Sequence, residues 1–291
     1  MTGTVASNSP ALLRRWIALN LKQLRKAAGR SQPDAAKRLG VSRATVTHLE
    51  SARNLPAQPT LEILLGYYGV PERLDDFVRV VEAAKKGRNW WAHLSESVPP
   101  WLNLFLGLES GAAELRLFDN YLVPGILQTP AYAEATVRAD PDLTEDQVRE
   151  RVELRTGRQH ILTRTDEPVR LWAVLDESVL RRPRGAPAVM TEQIDHLLQL
   201  SERPRIDVQV LPMDAGAHVA QQGSFQVLKF PNEFVGDPGI VYLELLAEGR
   251  YHEEPDEIDA YELALTRLQV LAASPEDSRA IMQQARKEVK Q

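Results

Sequence analysis

Residues 32–50, QPDAAKRLGVSRATVTHLE, constrain this chain more than any other stretch. The pattern predicts two short helices joined by a tight turn, the first over Gln32 to Leu39 and the second from Arg43 to about Ser51. Gly40 and Val41 form the turn, because glycine tolerates the left-handed backbone that ends a helix. Ser42 is a good N-cap, since its hydroxyl can accept a backbone N–H from the following turn. Val46, Leu49 and Glu50 fall on one face of the second helix, and Arg43, Ala44, Thr47 and His48 fall on the other. Ala36 supplies the small side chain that two crossing helices need. This is the pattern of a helix-turn-helix whose second helix enters a DNA major groove.

Roles on the outer face follow from groove chemistry. Arg43 suits a bidentate bond to guanine O6 and N7, and Ala44 suits a thymine methyl. Thr47 and His48 would reach bases or bridging waters, and the plainer alternative is that both are solvated surface residues. Gln32, Ser42, Thr45, Arg53 and Asn54 would hold phosphates and set the register.

The stretch resembles the phage-repressor-like (Xre) family of DNA-binding domains. The likeness rests on Gly29 ending a preceding helix, Gln32, Ala36, Gly40, Val46 and Leu49. It implies a five-helix, lambda-repressor-like all-α domain and a structural ion pair between Arg25 and Glu50. One residue departs from the pattern: Ala52 stands where that family usually has glycine after the recognition helix.

Charge supports this placement. Residues 1–70 carry ten Lys/Arg and three Asp/Glu, whereas residues 71–291 carry twenty-five and thirty-seven. A basic end on an acidic body suggests that only the N-terminal end meets a polyanion.

Periodicity extends the first domain over 11–86. Leu13, Ile17, Leu21 and Leu24 give one apolar stripe. Thr60 is expected to cap a helix through Tyr68 whose Leu61, Ile63, Leu64 and Tyr67 close the core. A further helix from Pro71 presents Leu74, Phe77, Val78 and Val81. Residues 87–101 read as an aromatic connector in which Trp90, Trp91 and Trp101 dock on the second domain, or alternatively form an aromatic ligand box. The first ten residues lack an apolar core and read as a disordered arm rather than a signal peptide.

Residues 102–281 read as an α+β domain with a small sheet, helices packed on one side, and 282–291 as the end of its last helix. A helix is expected from Leu102 through a Pro-Gly turn, a second from Thr129–Pro130, and a long charged one over 144–164. Strands are expected at 169–176, 206–212, 224–230 and 239–246, with helices at 188–202, 255–273 and 275–289.

LVPGILQTPAYA, RLWAVLDESVLRRP, IDVQVLP and AGAH, in that order, resemble the DUF5753 domain. That domain commonly follows an Xre-type helix-turn-helix in actinobacterial regulators, including WhiJ-like developmental regulators. A frequent gene neighbour encodes a small DUF397 protein, which implies a protein partner and an antitoxin-like pairing.

Catalysis finds little support. The chain has no cysteine, and its six histidines show no metal-ligand spacing. There is no phosphate-cradling glycine loop and no nucleophile elbow. No metal, no cofactor and no enzymatic activity are expected. Asp176 and Glu177 beside Arg181 and Arg182 form the best charged constellation, and Asp176, Glu177, Arg181 and His218 are candidates for a ligand or partner site. The competing reading makes the acidic pair a helix N-terminus. With no run of about 18 apolar residues, a cytoplasmic protein, nucleoid-associated when bound to DNA, is expected. The chain therefore reads as a sequence-specific transcriptional regulator, a homodimer on a pseudo-palindromic site, whose second domain mediates oligomerisation and senses a partner or ligand. The alternative is an antitoxin-like protein that masks a DUF397-type partner and regulates its own promoter.

Overall fold

The computed structural model of the chain describes residues 9–165, 167–231 and 236–289. It divides into two units: residues up to 92 together with 232–237, and residues 93–231 with 238–291. The arm expected over residues 1–10 lies outside the described residues up to residue 8. Ser9 and Pro10 already belong to a helix start, with the Ser9 hydroxyl accepting the Leu12 N–H.

The first unit is all helical: α1 (Pro10–Ala27), α2 (Gln32–Leu39), α3 (Arg43–Glu50), α4 (Gln58–Tyr68) and α5 (Leu74–Lys86), with a 3-10 turn at Pro71–Arg73 before α5. Leu13, Ile17 and Leu21 of α1 are buried with Val46 and Leu49 of α3 and Phe77 and Val81 of α5. Each such side chain contributes roughly 1.5–3 kcal/mol by leaving water. Two expectations are corrected. Helix α4 starts at Gln58, not at Thr60, because Pro59 suits a first turn even though Ala57 offers no side-chain cap. Its buried face is Leu61, Leu64, Leu65 and Tyr68, so Ile63 turns outward and Tyr67 lies beneath the Arg30 guanidinium at 4.7 Å. Trp90 and Trp91 pack edge to face, ring centroids 5.4 Å apart.

The second unit carries a six-stranded mixed sheet of order β3-β2-β1-β4-β5-β6. The strands are β1 (Glu114–Asp119), β2 (Arg170–Asp176), β3 (Ile206–Leu211), β4 (Phe225–Lys229), β5 (Ile240–Glu244) and β6 (Gly249–His252). Pairs β1/β2 and β2/β3 are parallel, and the rest are antiparallel. The parallel pairs need helical crossovers. These are α7 (Pro130–Val137) and α8 (Glu145–Gly157) after β1, then α9 (Ser178–Arg181) and α10 (Pro187–Leu200) after β2. α6 (Pro100–Ser110) precedes the sheet, and α11 (Pro255–Leu271) and α12 (Pro275–Glu288) follow it.

Alternation along the strands sends side chains to both faces. Leu115, Leu117, Leu171, Ala173 and Tyr242 pack with Phe105 of α6, Tyr132 of α7, Ile194 of α10 and Met282 of α12. Phe118, Val174, Val227 and Val241 pack on the other face with Ile258, Leu265 and Leu268 of α11. Helices therefore cover both faces, not one. Strand β1 replaces part of the helix expected from Leu102, and β6 was not expected at all. The charged helix expected over 144–164 ends at Gly157 and continues as a 3-10 segment, Arg158–Leu162. Its start is firmly capped: the Thr144 hydroxyl accepts the Gln147 N–H while the Gln147 side-chain oxygen accepts the Thr144 N–H.

Candidate nucleic-acid interface

Helices α2 and α3 are held by chemistry at their ends. Ser31 and Asp34 close a capping box at the start of α2, and the Ser31 hydroxyl and N–H hold the Asp34 carboxyl below its usual range. Gly40 ends α2 at φ +69°, and no atom lies within 4 Å of where a Cβ would stand, so backbone conformation alone favours glycine there. The Ser42 hydroxyl accepts the Thr45 N–H at 3.2 Å and lies 3.0 Å from the Thr45 hydroxyl. After α3 the chain reverses through Ala52 at φ +60°, and the Arg53 and Asn54 N–H groups both bond the His48 carbonyl. This is a Schellman-type ending with alanine in the left-handed position that glycine normally takes.

The inner face of α3 buries Val46 and Leu49. Arg43, Ala44, Thr47 and Ser42 are exposed, His48 and Thr45 are half-exposed, and Arg53 and Asn54 stand exposed just beyond the helix. Beneath this surface the Arg25 guanidinium grips the Glu50 carboxylate at 2.6 and 2.9 Å and donates a third bond to the Arg30 carbonyl at 2.7 Å. Bonding to Glu50 raises the Arg25 pKa above its usual value, and burial pushes the nearby Tyr68 hydroxyl up. Gln32 links the buried pair to the surface. Its Nε2 donates to Glu50 at 3.0 Å, and its Oε1 accepts from Arg43 Nε at 3.4 Å and from the Thr47 hydroxyl at 3.3 Å. That bridging role was not expected from the sequence, where Gln32 read as a phosphate contact; its only signal was an amide at the first position of α2.

Those features are what a groove-reading surface requires: a rigid helix, exposed donors of mixed chemistry, and neighbouring backbone and side chains able to meet phosphate. Comparison with known sequence families matches residues 16–77 to a helix-turn-helix domain and residues 102–284 to a domain of unknown function, DUF5753. The chain belongs to the DUF5753 family. With its helix-turn-helix, this DUF5753 protein is a DNA-binding regulator of transcription. Comparisons with curated proteins and with solved structures returned no match. Among the described residues, no helix is long and apolar enough to cross a membrane.

Within the DUF5753 unit, Glu177 and Arg181 of the candidate ligand-site residues bond each other, while Asp176 holds the helix start beside them. The Asp176 carboxylate accepts the Ser178 N–H at 2.9 Å, at the start of α9. Glu177 accepts from Arg181 at 2.8 Å and from the Met213 N–H at 3.1 Å, and Arg181 also contacts Glu288. These bonds tie β2, α9 and α12 together. His218 makes none of them: its ring stands edge-on to Phe118, and its Nδ1 accepts the Ala220 N–H at 3.3 Å. It lies beside Val219 and the outer face of α11, where Arg267, Val270 and Leu271 form the other wall of a cleft. Among the described residues, no three His, Asp or Glu side chains cluster closely enough to hold a metal ion.

Proposed function

We propose that this protein is a sequence-specific transcriptional regulator that acts by binding rather than catalysis, as a dimer, with the DUF5753 unit as its sensing and assembly module. In this reading Arg43, Ala44, Thr47 and His48 read base edges, and Ser42, Thr45, Arg53 and Asn54 hold phosphates. The observation that carries it is the exposed outer face of α3, braced from below by Gln32 and the Arg25–Glu50 pair. Bracing matters because a side chain already near its bound position loses less entropy on docking.

Dimerisation multiplies the modest affinity of one domain by engaging two half-sites about 34–36 Å apart. Leu263, Val270 and Leu271 of α11 share one helix face and are 52%, 80% and 44% exposed, with Val219 beside them at 42%. Apolar side chains exposed singly are ordinary, whereas a contiguous group marks an interaction surface. We assign this face to the second copy.

The test is Arg43→Ala, measured on an operator obtained by genome-wide mapping of bound sites and on a scrambled duplex. Loss of a bidentate base contact should cost roughly 1–3 kcal/mol on the operator and little on the scrambled duplex. Equal weakening on both would remove Arg43 from base reading.

A further inference from the structure

A cavity of about 480 Å³ opens in the DUF5753 unit at the C-terminal end of β1, within the size range of small-molecule sites. Its position follows from the sheet. The chain leaving β1 turns toward β2 on one side, and the chain leaving β3 returns to β4 on the other. In open sheets with parallel strands, a crevice of this kind beyond a strand's carboxyl end is where ligands bind.

Register builds the floor. Leu117, Gln226 and Tyr242 are direct neighbours across β1, β4 and β5, and so stand on one face. The Tyr242 hydroxyl and the Gln226 side-chain oxygen are buried, and neither has a hydrogen-bond partner among the described residues. Leaving two such groups unbonded forfeits the hydrogen bonds they had to water, which a native fold rarely tolerates without a use for them.

Arg155 of α8 forms one wall. Its Nη1 donates to the Thr136 hydroxyl at 2.7 Å and to the Gln128 side-chain oxygen at 3.3 Å. Among the described residues it bonds no carboxylate, and burial lowers its pKa. The other charges around the cavity are accounted for. Arg158 is matched by buried Glu109, at 2.7 and 2.8 Å. Asp119 accepts the Tyr121 and Leu122 N–H groups and the Ser224 hydroxyl, and burial raises its pKa. Arg151 is exposed and points toward Asp140, and Glu244 is exposed at the rim, where its charge acts on Arg155 without a hydrogen bond between them. The remaining surface is apolar, including Leu102, Leu106 and Phe225.

We propose that this cavity binds a small organic carboxylate with an apolar body, the carboxylate held by Arg155 and a second polar group by Tyr242 and Gln226. The chemistry points to a carboxylate because a half-buried guanidinium is best matched by a planar anion that accepts two parallel N–H bonds. The site deepens the sensing role proposed above and rests on that reading for its regulatory meaning, though not for binding itself.

Octanoate, octanamide and octylamine share one apolar body and differ in charge, so calorimetric titration of the full chain with each tests the site. Octanoate should bind, octanamide and octylamine at least about tenfold more weakly, and Arg155→Gln should abolish octanoate binding while the circular dichroism stays unchanged. The proposal is overturned if octanamide or octylamine binds as well as octanoate, if Arg155→Gln retains the affinity, or if octanoate at about 10 mM gives no binding heat. Should Arg155→Gln fail to fold, Tyr242→Phe decides, since it removes one oxygen: a several-fold loss supports the site and an unchanged affinity overturns it. Operator affinity with and without octanoate separates the two claims. Binding without any change on DNA would leave the site standing and end its sensing role. A change on DNA that persists in both variants would keep sensing and move it elsewhere.

Discussion

Arg25 and Glu50 meet through two hydrogen bonds, Nε to Oε1 at 2.6 Å and Nη2 to Oε2 at 2.9 Å, with side chains only 9% and 5% exposed. The pair joins the end of α1 to the end of the recognition helix. Glu50→Ala would leave a buried guanidinium without its anion, and breaking such a pair costs about 3 kcal/mol. Thermal unfolding of the full chain should show the helix-turn-helix transition moved down by several degrees while the DUF5753 transition stays in place. An unmoved first transition would show that the pair adds no stability.

Ala52 carries a left-handed backbone at φ +60° where the Schellman-type ending favours glycine. An alanine there costs roughly 1–2 kcal/mol, partly offset by the greater freedom glycine has when unfolded. Ala52→Gly should therefore raise stability by about 0.5–1 kcal/mol, read from the denaturant midpoint. Ala52→Val should lower it, because a β-branched side chain tolerates this conformation worse.

His196 of α10 has a buried Nε2 without a hydrogen-bond partner among the described residues. Burial, with help from Arg203, lowers its pKa below the ordinary 6.5. Between the folded and unfolded values the unfolded chain binds more protons, so this residue's contribution is complete above pH 6.5 and declines as pH falls below it. Urea midpoints at pH 7.5 and pH 5.5 should differ more in the native chain than in His196→Gln. Equal differences would assign the acid sensitivity to other groups.

Leu263 and Val270 carry the dimer assignment. Replacing both with aspartate puts charge into a surface that must lose water on assembly. Sedimentation should show a dimer for the native chain and a monomer for the double variant, with each unit still folded. A monomeric native chain would end the assignment, as would a dimer that survives the substitutions.

Legibility differed sharply between the two units. Gly40, Ser42, Val46 and Leu49 fixed α2 and α3 because local rules agree there: a left-handed stop, an N-cap and an apolar face at helical spacing. Strand β1 was missed because Glu114, Leu115, Arg116 and Leu117 are individually good helix formers. Tertiary context overrode that preference by placing the segment between two other strands. β6 is four residues long at a sheet edge, too short to show alternation. The α4 start was misplaced because Thr60 looks like a cap and Ala57 does not. The cavity was invisible for a different reason. Arg155, Gln226 and Tyr242 come from α8, β4 and β5, and only strand order and register bring them to one place.

Gln32 gives the first unit an evolutionary consequence. One amide touches both the bond that keeps α1 and α3 together and two of the side chains proposed to read DNA. New operator preferences cannot then be acquired by exchanging Arg43 or Thr47 in isolation, since each replacement also changes what Gln32 leans against. Descendants of this regulator should alter their target sequences along routes that keep residue 32 an amide, or change 32, 43 and 47 in concert.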